Sequence, residues 1–495
     1  MAKLHDLPSE LIYEALRYLD RPQILRLCFV SRNLLNIVEP LLYRNPDLTR
    51  GRSNGLEPAF FELRGFARQI ISRPRLASVV RNLKIVAPDK EWDEVRPPSV
   101  FNGHRDAADV DWLRASQTDA EWEDLEVVIA AMAEKGIPNA LIVDGGWWGE
   151  VVALLHHLPQ LLSLSISGSN EVRLLTYAAM GKLVGGVPIG LRTISHLQLM
   201  YGATNILNYK PERSAFGSDV VIPFMHLSNL RTFSIYQFGG NLAPDYGFGD
   251  LNDVQPGGFN SAFPPDSEMI RRGTSSITDL RFVFSHAGSR LLNSLLTLPR
   301  RLKMFEYIIS GADNVAPPFT PSELVPGLHL HRHSLTGLTF SGDFAAELFA
   351  SDGVMIGSLS EFTSLTYIRL PLVMLLGHPQ EAVELEMTTV DPIGPLLPPS
   401  LVHLELELRV WPFKEFMLVT GYPYLWLRSR QRFQSLEYFV VHRNVGVEGH
   451  TGSDIELAAL SAFPDMKEIF EVAKIIVEPR FEYVNSPGAG DVSLN

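Results

Sequence analysis

Ten times along its 495 residues the chain sets down an apolar residue, two others, an apolar residue, one other and a third apolar residue. The occurrences are Val80-Leu83-Ile85, Leu161-Leu164-Ile166, Ile194-Leu197-Leu199, Leu230-Phe233-Ile235, Ile277-Leu280-Phe282, Leu302-Phe305-Tyr307, Leu335-Leu338-Phe340, Leu365-Ile368-Leu370, Leu401-Leu404-Leu406 and Leu436-Phe439-Val441. Alternation over the last three positions puts the apolar side chains on one face of a short strand. The leading residue fills the turn that enters it. Several occurrences carry a further apolar residue three positions upstream, as Leu158, Leu191, Leu227, Phe362 and Phe433 do. One such strand cannot bury its own face, so neighbouring units must stack and bury a continuous core. From Phe233 onward the steps between central residues vary from 25 to 47, which leaves room for helices and loops of unequal length.

This signature resembles leucine-rich-repeat grammar, and its uneven spacing resembles a degenerate or ribonuclease-inhibitor-like horseshoe. The resemblance implies an irregular solenoid with parallel strands on its concave face and helices and loops outside. An ordinary α/β domain with parallel strands is the alternative, since any buried strand supplies Leu-x-Leu. In a solenoid the residues between the apolar strand positions point into the concave face. They include Ser163, Ser165, Thr339 and Glu407 and, as candidate substrate-binding residues, Gln198, Ser234, Tyr236, Arg281, Glu306, Arg369, Glu405, Tyr438 and His442. A row of mixed polar and aromatic side chains on rigid strands suits protein recognition. A merely solvated sheet face is the plainer reading.

The amino terminus has a different texture. It reads LPSELIYEALRYLDRPQILRLCFVSRNLL from Leu7 to Leu35. Pro8 fits a first helical turn, where its missing N–H leaves nothing unpaired. Leu11, Ile12, Ala15, Leu16 and Leu19 then recur at helical spacing. The residue before Pro22 resists the helical conformation, which ends the first helix and opens a second through Ile24, Leu25, Leu27, Cys28 and Val30. Ser31 is placed to cap a third, with Leu34, Leu35, Ile37, Val38, Leu41 and Leu42. Three helices of about ten residues hide only part of so much apolar surface. Something else must cover the remainder.

Leu7-Pro8-x-Glu10-Leu11-Ile12, Leu16, Leu19, Leu27, Val30-Ser31-Arg32 and Leu41-Leu42-Tyr43 together resemble an F-box. The resemblance covers about the first 43 residues. It implies docking on the Skp-type adaptor of a Skp–cullin–F-box ubiquitin ligase, with a cullin reached through the adaptor. Carried over by position, the adaptor-binding residues are Leu7, Pro8, Glu10, Leu11, Ile12, Leu16, Leu25, Leu27, Val30 and Ser31. The chain departs from the usual pattern at Ala15, where a larger aliphatic residue is common, and at Leu34, where many animal members carry an aromatic. A helical hairpin packed only on its own chain is the alternative. Phe60-Phe61-x-Leu63-x-x-Phe66-x-x-x-Ile70-Ile71 reads as a further helix, and Arg73 to Leu83 resembles the linker that follows the F-box in many fungal F-box proteins.

The expected fold class is therefore α/β, a three-helix F-box followed by the repeat-like solenoid. The expected division is 1–46 for the F-box-like unit, 47–86 for a helical linker and first repeat, 87–126 for an acidic loop insertion, 127–484 for the substrate-binding repeats and 485–495 for a flexible tail. Residues 87–126 hold 12 Asp and Glu against 4 Lys and Arg, so this stretch carries −8 of the net −13. No basic groove for phosphates is evident, which argues against nucleic acid. The apolar runs are far shorter than the roughly 18 residues of a membrane span.

The single cysteine, Cys28, and the lack of any Asn-x-Ser/Thr sequon point to a reducing compartment, cytoplasm or nucleus. Gly51-Arg52-Ser53-Asn54-Gly55 matches the nucleophile-elbow pattern, but it follows a polar run where that motif needs a buried strand, so a linker is expected. His329-x-His331-x-His333 lacks a carboxylate or cysteine neighbour and reads as solvated loop histidines rather than a metal site. No phosphate loop, dinucleotide fingerprint or zinc pair is present, so no catalytic residue, metal or cofactor is expected. The function implied is a non-catalytic substrate-recognition adaptor. A scaffold acting outside ubiquitination and a hydrolase using Ser53 are the competing readings.

Overall fold

The computed structural model describes residues 8–16, 18–48, 57–86, 119–134, 147–168, 173–181, 186–201, 216–238, 272–285, 287–309, 320–342, 355–371, 374–375, 394–409 and 435–444. The chain divides into two compact units, residues 1–206 with 218–233, and residues 207–217 with 234–495. The first begins with three short helices, α1 (Ser9–Leu16), α2 (Arg21–Cys28) and α3 (Arg32–Arg44). Their boundaries are chemical. Asp20 accepts from the Gln23 amide while the Gln23 side chain accepts from the Asp20 amide, a reciprocal cap at the start of α2. Ser31 Oγ accepts from the Leu34 amide at 3.2 Å and starts α3. Ile12, Leu16, Leu34 and Val38 form the shared core, with Leu19, Ile24, Leu27, Cys28, Ile37 and Leu41 packed around it.

From α3 the chain runs into β1 (Asp47–Leu48), then α4 (Glu57–Ser72), α5 (Pro74–Ala77) and β2 (Asn82–Val86). Tyr43 stacks on Phe66 at 5.9 Å, and Arg73 pairs with Glu39 at 2.8 Å, so α3 and the helix after it are tied together. Next come α6 (Asp119–Glu134), α7 (Trp147–His156), β3 (Ser163–Gly168), α8 (Arg173–Ala179), α9 (Ile189–Thr193), β4 (His196–Tyr201) and α10 (Ser218–Met225). Helix α6 corrects one boundary. The last eight residues of the expected acidic loop, from Asp119, are helical, because Leu125, Val128 and Met132 recur at helical spacing and are buried. Residues 87–118, the Gly51 to Gly55 run and the expected tail lie outside the described residues.

β5 (Thr232–Tyr236) begins in the first unit and ends in the second. The second unit continues with β6 (Asp279–Ser285), α11 (Ser289–Leu296), β7 (Met304–Ile309), α12 (Val325–His329), β8 (Gly337–Gly342), β9 (Tyr367–Pro371), β10 (His403–Arg409) and β11 (Tyr438–Asn444). All paired strands are parallel and adjacent in chain order: β1 to β4 in the first unit, β6 to β11 in the second. The architecture is thus mixed α/β, helical at the amino terminus and built on open parallel sheet after it.

The recurring apolar triplets account for this arrangement. The first seven triplets that reach β2 to β8 are at most 2% exposed at every position, and Leu365-Ile368-Leu370 is fully buried. Successive turns align through one repeated device, in which the carbonyl just before a strand accepts two consecutive amides from the next turn. Arg81, Leu162 and Ser195 do so in the first unit, and Thr278, Lys303, Thr336, Thr366 and Val402 in the second. Hydroxyls add the same link, as Thr336 Oγ1 donates to Lys303 O at 3.0 Å and Thr366 Oγ1 to Thr336 O at 3.1 Å. Strand β8 ends at Gly342 with φ +116, where a Cβ would overlap the Ile309 backbone, so only glycine fits.

The histidine run departs from the sequence expectation. His331 is 2% exposed, its Nε2–H donates to Leu296 O at 2.8 Å, and its Nδ1 accepts from the Leu302 amide at 3.3 Å. It is a structural link between turns. Burial holds its pKa below the ordinary value, against a smaller upward pull from the Leu296 carbonyl. Only His333 of the three is exposed, and among the described residues no cluster of three potential metal ligands occurs.

Candidate functional site

Two surfaces carry the residues singled out from sequence. The first is on the opening helices. Large hydrophobic side chains exposed among the described residues number twelve, and six of them, Leu11, Tyr13, Tyr18, Leu25, Phe29 and Val30, lie in the first 30 residues. Chance scatter along the chain does not concentrate them so. Phe29 is 84% exposed, Val30 66%, Leu11 55% and Leu25 49%. Apolar surface that a small helical unit cannot cover marks a partner site.

The carried-over residues separate by burial. Pro8, Leu11, Leu25 and Val30 are exposed, and Ser31 is half-buried with its hydroxyl engaged in capping α3. Leu27 is half-buried against the core. Ile12 and Leu16 are 1% and 4% exposed, so they build the helical unit itself and their side chains are not on its surface. The i, i+4 spacing that aligns them turns both inward. Leu7 and the side chain of Glu10 lie outside the described residues. Tyr13, Tyr18 and Phe29 were not read from sequence. Phe29 is the C-cap of α2 and Tyr18 follows α1, so both fall off the periodic stripes that drew attention to their neighbours.

The second surface is the face of the sheet opposite the triplets. In the first unit Ser165 and Gln198 are register partners, with Oγ and Oε1 3.5 Å apart. Ser234 and Tyr236, on the part of β5 that belongs to the second unit, are half-buried. In the second unit Arg281, Glu306, Thr339, Arg369 and Glu405 succeed one another in register from β6 to β10. Arg281 Nε lies 3.5 Å from Glu306 Oε2, a partly exposed pair worth little by itself. The contacts tighten toward β10. Arg369 Nε donates to Glu407 Oε1 at 2.6 Å and lies 3.8 Å from Glu405 Oε2. Glu405 Oε1 also accepts from the Tyr367 hydroxyl at 3.0 Å and from His403 Nε2–H at 2.9 Å.

Glu405 and Glu407 are 8% and 5% exposed, so they do not project as free recognition groups. They anchor a network whose outer members are Tyr367, Arg369 and His403. Burial raises the pKa of the Tyr367 phenol, and the Glu405 carboxylate adds to the rise while Arg369 opposes it. The hydroxyl therefore stays a proton donor to Glu405 at neutral pH. The rings of Tyr367 and His403 lie 5.1 Å apart, and those of His403 and Tyr438 stack at 5.2 Å. Tyr438 is 40% exposed, while His442 faces Glu407 in register with its side chain outside the described residues. Tyr367 and His403 share a register row with Tyr438, and neither is among the face residues named from the sequence.

The family model of the F-box domain matches residues 4–42. The chain carries an F-box domain. No match is found among curated proteins.

Proposed function

We propose that this chain is a substrate-recognition adaptor of a Skp–cullin–F-box type ubiquitin ligase, with no catalytic residues of its own, acting in the cytoplasm or nucleus. The observation that carries the reading is the F-box that folds around Ile12, Leu16, Leu34 and Val38 yet leaves Leu11, Leu25, Phe29 and Val30 open. Covering one such side chain is worth roughly 1.5–3 kcal/mol. Four of them outweigh a modest association cost. The Skp-type adaptor is the partner and a cullin follows through it.

The polar sheet face is the proposed surface for a protein substrate, and the strand-bearing region is proposed as a leucine-rich-repeat-like array. The carbonyl that accepts two amides from the following turn, repeated through both units, supports the repeat reading. The mechanism is proximity: a substrate held beside the charged ubiquitin carrier reacts at a raised effective concentration. Co-purification of the full chain with a Skp-type adaptor tests the docking half, comparing the native sequence with Leu25→Ala/Phe29→Ala. The native chain retains the adaptor and the double variant loses it. Equal recovery from both refutes the interface. Deleting the chain stabilises its substrate if it acts in ubiquitination, and leaves all protein lifetimes unchanged if it is a scaffold.

A further inference from the structure

We infer that the end of the polar face formed by β9 to β11 is a cation-binding strip that takes an arginine side chain of the bound protein. The inference rests on the reading of that face as the substrate surface, and it names the chemistry recognised there. The first observation is the ring column. Tyr367, His403 and Tyr438 occupy one register row on three neighbouring strands, spaced 5.1 and 5.2 Å, and the second pair is stacked within 24°. Among the described residues the column ends at Tyr438, whose ring is 40% exposed. A planar guanidinium continues such a stack and is attracted to the electron-rich ring face.

The second observation is the charge beside the column. Glu405 and Glu407 stand on β10, the strand next to Tyr438, and both are held in place, Glu405 by Tyr367 and His403 and Glu407 by Arg369. Because both carboxylates are buried, they are less screened than surface charges. Arg369 offsets one of the two charges, and the negative charge that remains favours a cation at the column's open end and opposes an acidic group. An aliphatic side chain gains ring contact alone. The chain's net −13 steers a basic partner toward it from further away. Arginine suits the place better than lysine, whose compact ammonium does not stack.

The test is fluorescence anisotropy of the full-length chain with a labelled peptide of alternating serine and arginine, beside peptides carrying glutamine or glutamate in place of arginine. Saturable binding of the arginine peptide alone is expected. Tyr438→Ala weakens it about tenfold, Tyr438→Phe retains it, and Glu405→Gln gives a smaller loss. Absence of saturable binding overturns the inference. So does equal affinity for Tyr438→Ala and Tyr438→Phe, which reports only long-range attraction to an acidic chain. Adaptor co-purification on the same samples separates the outcomes: if it persists while the peptide fails to bind, the strip falls and the ligase reading stands.

Discussion

The opening helices and the strand-bearing region are both rich in leucine, and they use it in opposite ways. In the F-box, Leu11 and Leu25 stay about half exposed beside a core whose four buried members are Ile12, Leu16, Leu34 and Val38. In the second unit the corresponding inventory, Leu280, Phe305, Leu338, Ile368 and their triplet partners, is sealed. The difference follows from what each region can stack against. A strand turn finds a similar turn on its flank, and the two cover each other. Three short helices have no such neighbour and present the remainder outward. Equal hydrophobicity in the sequence therefore yields stability in one place and an exposed apolar surface in the other.

The comparison breaks most visibly on a pair of phenylalanines. Phe305→Ala empties a fully buried site between Phe282 and Phe340, whose rings lie 6.3 and 5.6 Å away, and a loss of about 3–5 kcal/mol is expected in denaturant unfolding. Phe29→Ala trims an 84% exposed ring and should change stability by less than about 0.5 kcal/mol while weakening adaptor retention. If Phe29→Ala unfolds the chain instead, the F-box leucines are core and the division of roles is wrong.

A second test concerns the one buried ion pair described in the first unit. Arg64 on α4 donates through Nη2 and Nε to Glu150 Oε1 on α7 at 2.7 and 3.1 Å, and both residues are at most 2% exposed. Removing Arg64 takes the cation away from a buried carboxylate, so Arg64→Ala should cost about 3 kcal/mol or more. Replacing both partners with leucine should recover most of that loss. A double variant no more stable than Arg64→Ala would show that the two side chains are not coupled. Adaptor retention should be untouched in either variant, since neither residue lies on the F-box.

Much of this architecture was legible because it is periodic. The triplets located each strand from β2 onward, and Pro22 and Ser31 located the starts of α2 and α3, since caps and prolines act on the residues beside them. What escaped depends on burial, which alternation alone does not set. Ile12 and Leu16 share a stripe with Leu11 in sequence, yet only Leu11 faces out. Glu405 and Glu407 read as polar face and prove to be buried, because Tyr367 and Arg369 on the neighbouring strand, and His403 two residues before Glu405 on the same strand, supply hydrogen bonds. His331 read as a loop residue, and only the carbonyl of Leu296 and the amide of Leu302 arriving from the preceding turn make it core.

His331 gives the comparison a pH signature. Its folded-state pKa lies below the ordinary histidine value of about 6.5, so below that pH the unfolded chain takes up a proton that the folded chain resists. The stability it contributes is complete above about pH 6.5 and declines as the pH falls through the window down to the folded-state value. Unfolding midpoints measured from pH 7.5 to 5.5 should therefore fall, and His331→Gln should flatten the fall even though it lowers the midpoint at pH 7.5. An unchanged slope would assign the acid sensitivity elsewhere.

The smallest expected effect separates local from tertiary stabilisation. The F-box helices are short, with α1 and α2 of eight residues each, below the length at which a helix persists in water by itself. Their caps therefore carry weight. Ser31→Ala removes the hydroxyl that accepts from the Leu34 amide, and a loss of about 1 kcal/mol is expected. Thr336→Val deletes a hydroxyl link between strand turns, yet the Lys303 carbonyl keeps both backbone amides from Thr336 and Gly337, so a loss near half of that is expected. Because Ser31 adjoins Val30 and Phe29 on the outward surface, fraying there also disperses the exposed residues proposed to meet the adaptor. Ser31→Ala should reduce adaptor retention at 37 °C more than at 10 °C, and Ser31→Asp, which caps equally well, should restore it. Loss of retention with Ser31→Asp at both temperatures would instead mark the hydroxyl as a direct contact with the adaptor.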